Sequence, residues 1–420
     1  MLEVLKSSWA LLLGVMLLMV GNGIQGTLLG VRGNLEGFGT FEMSMVMSGY
    51  FVGFLGGSSM TPNLIRRVGH VRVFAALASF ISAVLILYPV AVDPIVWTLL
   101  RVAIGFSFSG VYITAESWLN NDASNANRGK ALSLYLIVQM VGAISAQGLV
   151  LVADPGGFIL FILPSVLVSL AFAPILLSIS PTPAFDTTRR MTLRDLYKIS
   201  PLGLVGMLLM GGVFAAQWGM ASVFATEAGL GGGKLSLFIA MIYVGGMLLQ
   251  YPIGWISDRM DRRLLIIAVA LIGAVGAMIP IIVPGNYDAI LVAAFLIGGT
   301  SNPLYALIIA YTNDFLEVED MPAASSGLMF VNGLGAITGP LLTGWVMGAV
   351  GPNGYFLYLA AVLLAMVVYG VWRTTQRASV AVEDTASYAP VLPSASPVAM
   401  DMAQEFYADA VEEAAEDSAA

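Results

Sequence analysis

Arg101 is the one basic residue set inside an apolar run, and Gly105, Ser109, Tyr112 and Glu116 follow it at spacings of three or four. On a helix that spacing puts all five on one face, giving a small, polar stripe unlike a face turned to hydrocarbon. An ionised Arg at the centre of a bilayer costs about 2.5–3.5 kcal/mol on insertion scales, so it needs wet space or a partner. Two uses stand open: contact with a small anionic or polar molecule, or structural bonds to backbone carbonyls. Amides in other apolar runs extend the set of binding candidates to Asn22, Gln25, Arg101, Gln139, Gln217, Asn302 and Asn332, with Gln147 beside them. An amide both donates and accepts, which suits a polar ligand. The alternative for each amide is a helix–helix hydrogen bond of about 0.6 kcal/mol. Glu116 is the one acid clearly inside an apolar run. A proton-carrying role needs such a carboxylate, but pairing with Arg128 or Arg259 at the end of its helix is the favoured expectation.

Other chemistries are excluded by residue type. The chain has no cysteine and one histidine, His70, so thiolate metal sites, disulfides, cysteine nucleophiles and a Ser–His–Asp set built on a second histidine are out of reach. Gly231-Gly232-Gly233-Lys234 lacks the spacing of a phosphate loop and is followed by Leu235 where Ser or Thr is needed. No enzyme activity, metal or cofactor is expected, and no basic face is large enough for nucleic acid.

The elements that must carry these residues are apolar helices. Of 420 residues 58% are hydrophobic and 10% charged, against roughly 25% charged in soluble domains, so lipid must solvate much of the chain. About 20 apolar residues are needed per crossing. Twelve stretches qualify: 9–31, 43–65, 73–92, 95–118, 131–153, 157–179, 201–225, 235–257, 264–283, 289–311, 323–349 and 353–372. The first is long enough to span and carries no cleavage site, so it is expected to stay as a helix. With a cytoplasmic N-terminus, 15 of the 18 basic residues fall in inside segments, and Arg32 and Lys234 fall outside. The excess of inside positive charge predicts that both termini are cytoplasmic. Residues 312–322 break the rule, holding Asp314, Glu317, Glu319 and Asp320 but no Lys or Arg.

The expected organisation is a six-helix unit over 1–180, a basic linker over 181–200, a second six-helix unit over 201–372, and an acidic tail over 373–420. The tail carries nine acidic and two basic residues and is rich in Ala, Ser and Pro, a composition expected to be disordered, with room for a short amphipathic helix near Met402–Glu416. The two units repeat. Gly142-Ala143-Ile144-Ser145 matches Gly335-Ala336-Ile337-Thr338 at an offset of 193, and Ile104-Gly105/Ile297-Gly298, Tyr112/Tyr305, Asn120/Asn313 and Gln139/Asn332 keep that register. Gly53/Gly245 and Arg67/Arg259 hold an offset of 192.

The turn Gly254-Trp-Ile-Ser-Asp258-Arg259-Met-Asp261-Arg262-Arg263 resembles the signature of major-facilitator transporters, G-x-(L/I)-(A/S)-D-R-x-(G/D)-R-(R/K). Leu99-Leu100-Arg101-Val-Ala-Ile-Gly105 is similar to that family's second motif, and Gly333, Gly335, Gly339 and Pro340 to its glycine-rich packing seam. Ala115-Glu116-Ser-Trp-Leu and Asn127-Arg128-Gly129 look most like the YcaD-type branch. The first-half equivalent of the signature is degraded, with Pro62 for Gly and Arg66 for Asp.

The resemblance implies an all-α membrane protein of twelve helices in two pseudo-symmetric bundles. It implies a gradient-driven carrier of a small solute in the inner (plasma) membrane, monomeric, with its site between the halves. A non-transporting receptor or scaffold that uses the acidic tail is the second reading. The resemblance also implies two gating contacts: Asp258 against Arg128 and Lys130, and Arg66, Arg67 and Arg72 against Asp314, Glu317, Glu319 and Asp320, with the polarity of the second reversed; Arg259, Arg262 and Arg263 of the signature turn are further gating candidates.

Overall fold

Apolar runs of about 20 residues leave the backbone one way to satisfy its own N–H and C=O groups away from water, the helix. The computed structural model describes residues 2–122, 128–177, 191–317, 320–377, 380–381, 385, 388–400 and 403, and these contain helices and no strand. The first set is α1 (Leu2–Leu35), α2 (Thr40–Val68), α3 (His70–Leu87), α4 (Pro94–Asp122), α5 (Arg128–Leu149) and α6 (Ile159–Leu177). A short α7 (Leu193–Ile199) lies in the expected linker and is capped by Thr192. The second set begins with α8 (Pro201–Ala215), a π-turn at Ala216–Met220 and α9 (Ala221–Glu227), which together make one rod. It continues as α10 (Gly232–Ser257), α11 (Arg262–Ile282), α12 (Tyr287–Asn313), α13 (Met321–Val350) and α14 (Gly354–Thr374).

Ten of these helices, the α8–α9 rod counted as one, are long and apolar enough to cross a membrane. The 29-residue α2 and the apolar α6 lie beside them. Several helices overrun their apolar cores. Glycines with positive φ break the chain between α2 and α3 at Gly69 (φ 85°) and after α13 at Gly351 (φ 84°), a conformation in which a Cβ is costly.

Within the first set α1 packs on α5 and α6, α2 lies along α4, and α3 touches α4 and α6. The second set repeats the pattern: α8 lies along α13, α10 along α12, and α11 touches α12 and α14. The repeated glycines are the physical cause. A Cβ on Gly53 or Gly105 would fall inside the backbone of the facing helix, at Val102 and Tyr50, and one on Gly245 or Gly298 would do the same at Phe295 and Ile242. Without side chains there, α2 meets α4 and α10 meets α12 at backbone distance.

The two sets touch through α2 with α13, α1 with α9, and α5 with α10. One end of the assembly is sealed by direct packing. Gly30 lies on Ser222 and Gly344 on Ser44. Thr40 Oγ1 donates to Glu227 Oε1 and Ser48 Oγ to the Ile337 carbonyl, both at 2.5 Å. The opposite end carries the turns at residues 66–72 and 258–263 and is called the basic end below.

Residues 388–400 differ from the disordered tail expected from composition. They fold back against the basic end, with Val391 and Met400 each 1% exposed. The segment is low in charge and apolar, so burial there desolvates few polar groups. The expected helix at Met402–Glu416 lies outside the described residues except for Ala403.

Candidate functional site

Between the two sets lies a cavity of about 470 Å³. Its wall is rich in aromatic rings, with Tyr50, Phe54, Tyr112, Trp218, Tyr243 and Tyr305 prominent, and its amides are Asn22, Gln139, Asn302 and Asn332. None of the described residues lining it carries a formal charge. Opposite walls are related by the repeat: Tyr50/Tyr243, Tyr112/Tyr305, Gln139/Asn332, Met140/Gly333 and Ala143/Ala336 all sit 193 residues apart and all line the space.

Several wall polar groups are held by the protein and others are left over. Asn22 Nδ2 donates to the hydroxyls of Tyr50 (3.3 Å) and Tyr112 (3.1 Å). Asn22 Oδ1, Asn332 Oδ1 and the Tyr305 hydroxyl are buried without a hydrogen-bond partner among the described residues. Such orphans are rare and call for an explanation, and a polar ligand or water in the adjoining space supplies one.

Four of the seven candidate binding residues thus lie in the cavity wall, and three do not. Gln25 accepts from Arg101 Nη1 at 3.1 Å and donates to the Tyr88 hydroxyl at 3.3 Å. Gln217 accepts from Ser301 Oγ at 2.8 Å and reaches the Ile297 carbonyl at 3.4 Å; the π-turn sends it to α12 while its neighbour Trp218 faces the cavity. Gln147 accepts from Thr27 Oγ1 at 3.0 Å. All three amides serve helix–helix bonding.

Arg101 is fully buried beyond the cavity's aromatic floor. Its guanidinium lies 4.9 Å from the Tyr50 ring centre and 5.2 Å from that of Trp218, and Nη2 meets Met47 Sδ at 3.5 Å. Its Nε has no hydrogen-bond partner among the described residues. The rings of both helix sets therefore share this cation, each presenting the negative face of its quadrupole.

The gating candidates are arranged differently from expectation. Glu116 does not pair with Arg259. It accepts from the Tyr135 hydroxyl at 2.6 Å and from the Ser396 N–H at 3.2 Å. Arg259 stacks on Trp255 (4.1 Å) and donates to its carbonyl. Asp314 pairs with Arg262 of its own set, not with Arg66 or Arg67, which stand exposed at the last turn of α2. Asp258 lies 3.6 Å from Arg262 and accepts from the Tyr388 N–H at 2.7 Å. Arg263 reaches Asp261 and the Arg377 carbonyl. Glu319 and the side chain of Arg128 lie outside the described residues. Of the two cross-set contacts expected for the basic end, Asp314 does not meet Arg66 or Arg67, and the contact of Asp258 with Arg128 falls on a side chain outside the described residues.

Sequence reasoning missed the aromatic wall. Tyr50/Tyr243 obeys the same offset as the noted pairs and could have been found by extending the register into the second helix of each unit.

Residues 202–396 match the model of the Major Facilitator Superfamily. The chain is 24% identical over 356 residues to an uncharacterised MFS-type transporter, YcaD, of Salmonella arizonae, covering 84% of this chain and 92% of that one. It is 23% identical over 359 residues to the YcaD of Escherichia fergusonii, with the same coverages. Among solved structures, a mutant of the nucleoside transporter NupG superposes with a TM-score of 0.74 at 13% identity, covering 87% of this chain and 99% of that one. A bacterial homologue of the human lysosomal transporter Spinster, inward-facing and unoccupied, gives 0.66 at 14% identity over 95% and 98%.

Proposed function

We propose that the chain, whose residues 202–396 match the Major Facilitator Superfamily model, is a secondary transporter that carries an uncharged, ring-bearing polar solute through alternating access to the central cavity. The observation that supports this most directly is the wall itself. An ionised solute in a desolvated space without a counter-charge would pay heavily, so a wall of aromatic rings and amides favours a neutral one. Rings offer stacking and apolar contact, and the amides and tyrosine hydroxyls fix orientation.

The proposal includes twelve spans in two six-helix units and a basic end that faces the cytoplasm of the inner membrane, as the Lys and Arg distribution favours. A monomer suffices, since one chain supplies the whole wall. The four wall amides bind solute in this reading, while Gln25, Arg101 and Gln217 hold the helices that present them. A scaffold role has no need of a cavity with orphaned polar atoms and is not favoured.

The chain should be reconstituted in vesicles and screened for uptake of uncharged ring-bearing metabolites. The Tyr305 hydroxyl has no partner among the described residues, so Tyr305→Phe should leave Tm unchanged or slightly raised. It should weaken apparent affinity about three- to tenfold, the loss of one hydrogen bond to solute. Asn332→Ala should weaken it by a similar factor. Unchanged affinity in both variants would sink the assignment of the cavity as the solute site. The cysteine-free sequence also permits a topology test. Single cysteines at Arg194 and Met260 should react from one side of the membrane and one at Lys234 from the other.

A further inference from the structure

The segment Tyr388–Met400 is unexplained by a cavity alone. It contains no charged residue and spaces three prolines, Pro390, Pro393 and Pro397, along its length. Its first residue is fastened to the second helix set. The Tyr388 ring lies on Gly254, where a Cβ would come within 2.7 Å of Tyr388 Cε1. The Tyr388 hydroxyl accepts from Gln250 Nε2 at 2.8 Å, and its N–H donates to Asp258 Oδ1 at 2.7 Å. Its last turn is fastened to the first set: the Ser396 N–H donates to Glu116 at 3.2 Å, and Val398 packs with Ile65, Val73 and Ile113. Between these anchors Val391 and Ala395 are buried, and Leu392, Pro393 and Ser394 form part of the cavity wall.

We propose that the basic-end mouth is a peptide-binding site whose ligand is the chain's own uncharged, proline-spaced segment Tyr388–Met400, and that this segment closes the cavity from the cytoplasm. The inference rests on the transporter reading above. Three features carry it. The segment touches both helix sets, so the mouth cannot narrow or widen around it without breaking one anchor. It takes up a carboxylate oxygen of Asp258 and one of Glu116, two acids otherwise available to a cytoplasmic gate. Its composition also favours binding: ordering thirteen residues carries an entropic cost, nine of the thirteen are buried against the helices and offset it, and the prolines lower it by restricting the free segment.

Because the chain has no cysteine, Ser58→Cys places a single thiol in the cavity wall. Labelling by a sulfonated maleimide from the basic-end side should be slow in the full chain. It should be at least tenfold faster after truncation following Arg377, and a synthetic peptide of residues 385–403 added to the truncated chain should slow it again. Val391→Asp in the full chain, which charges the plug and leaves the helix sets untouched, should match the truncation and covers the case of a truncated chain that fails to fold. Labelling rates within twofold of the full chain for both variants would overturn the proposal, as would failure of the added peptide to slow the truncated chain. Faster labelling of both variants without flux of any solute would keep the plug and remove the transport reading. Flux with unchanged labelling would remove the plug alone.

Discussion

Gly298→Val is expected to abolish the folded protein. A Cβ at Gly298 would lie 2.6 Å from the Ile242 carbonyl carbon and 2.7 Å from its Cα. Overpacking against side chains typically costs about 1–3 kcal/mol because rotamers give way. Here the obstacle is backbone, so α10 and α12 must separate along their length and lose the contacts on either side. A cost above about 4 kcal/mol follows, the range reserved for broken cores. The monodisperse peak in detergent should disappear. Gly105→Val, related by the repeat and set against the Tyr50 carbonyl, should behave alike. Gly348→Ala, whose Cβ would meet nothing within 4 Å, should be neutral or stabilise by up to about 1 kcal/mol through helix propensity. A Gly298→Val protein with the parent Tm would refute the close-approach account of the fold.

Arg101→Met is expected to separate stability from conformational state. The guanidinium is fully buried and faces two rings and one amide carbonyl. Removing a charge in such a place relieves desolvation, and a methionine of similar length fills the space, so Tm should hold or rise. The tie to Trp218 joins the two helix sets beside the sealed end. A desolvated cation–π contact contributes about 2 kcal/mol, so its loss should raise the population open at that end roughly thirty-fold. A cysteine at Ser222, which packs on Gly30 at the seal, reports this as faster labelling from the outside. Arg101→Lys should not restore the seal, because a compact ammonium cannot stack between two rings as a planar guanidinium does. Unchanged labelling together with a large fall in Tm would mean that Arg101 is a structural residue only.

The helices were legible in the sequence because solvation by lipid demands unbroken apolar runs, and the runs are there. Their ends were less so. Hydropathy sees only the apolar middle, and α2 extends from Thr40 to Val68 through polar turns that a 43–65 span leaves out. The site was half legible. Embedded amides can be picked out by type, yet the side to which Gln25 or Gln217 turns is decided by tertiary packing: Tyr88 and Arg101 take one, Ser301 the other. Tyr112 is visible on the polar stripe and Tyr305 as its repeat partner, but Tyr50 and Tyr243 are not, because a buried ring looks the same in a core and in a cavity wall. The tail was misread through averaging. Acidic residues on both sides masked an uncharged run from Thr385 to Met400 that has enough apolar surface to bind.

The π-turn at Ala216–Met220 sets the phase of everything beyond it in that rod. It holds one residue more than an α-helical turn would need there, and each residue of an α-helix advances the chain by about 100°. Losing that extra residue would swing Ala221–Glu227 by about 100°, slightly more than a right angle, carrying Ser222 away from Gly30 and Glu227 away from Thr40. The loops that flank the rod can lengthen or shorten without such a penalty. A one-residue change within it would unlatch a door some distance away.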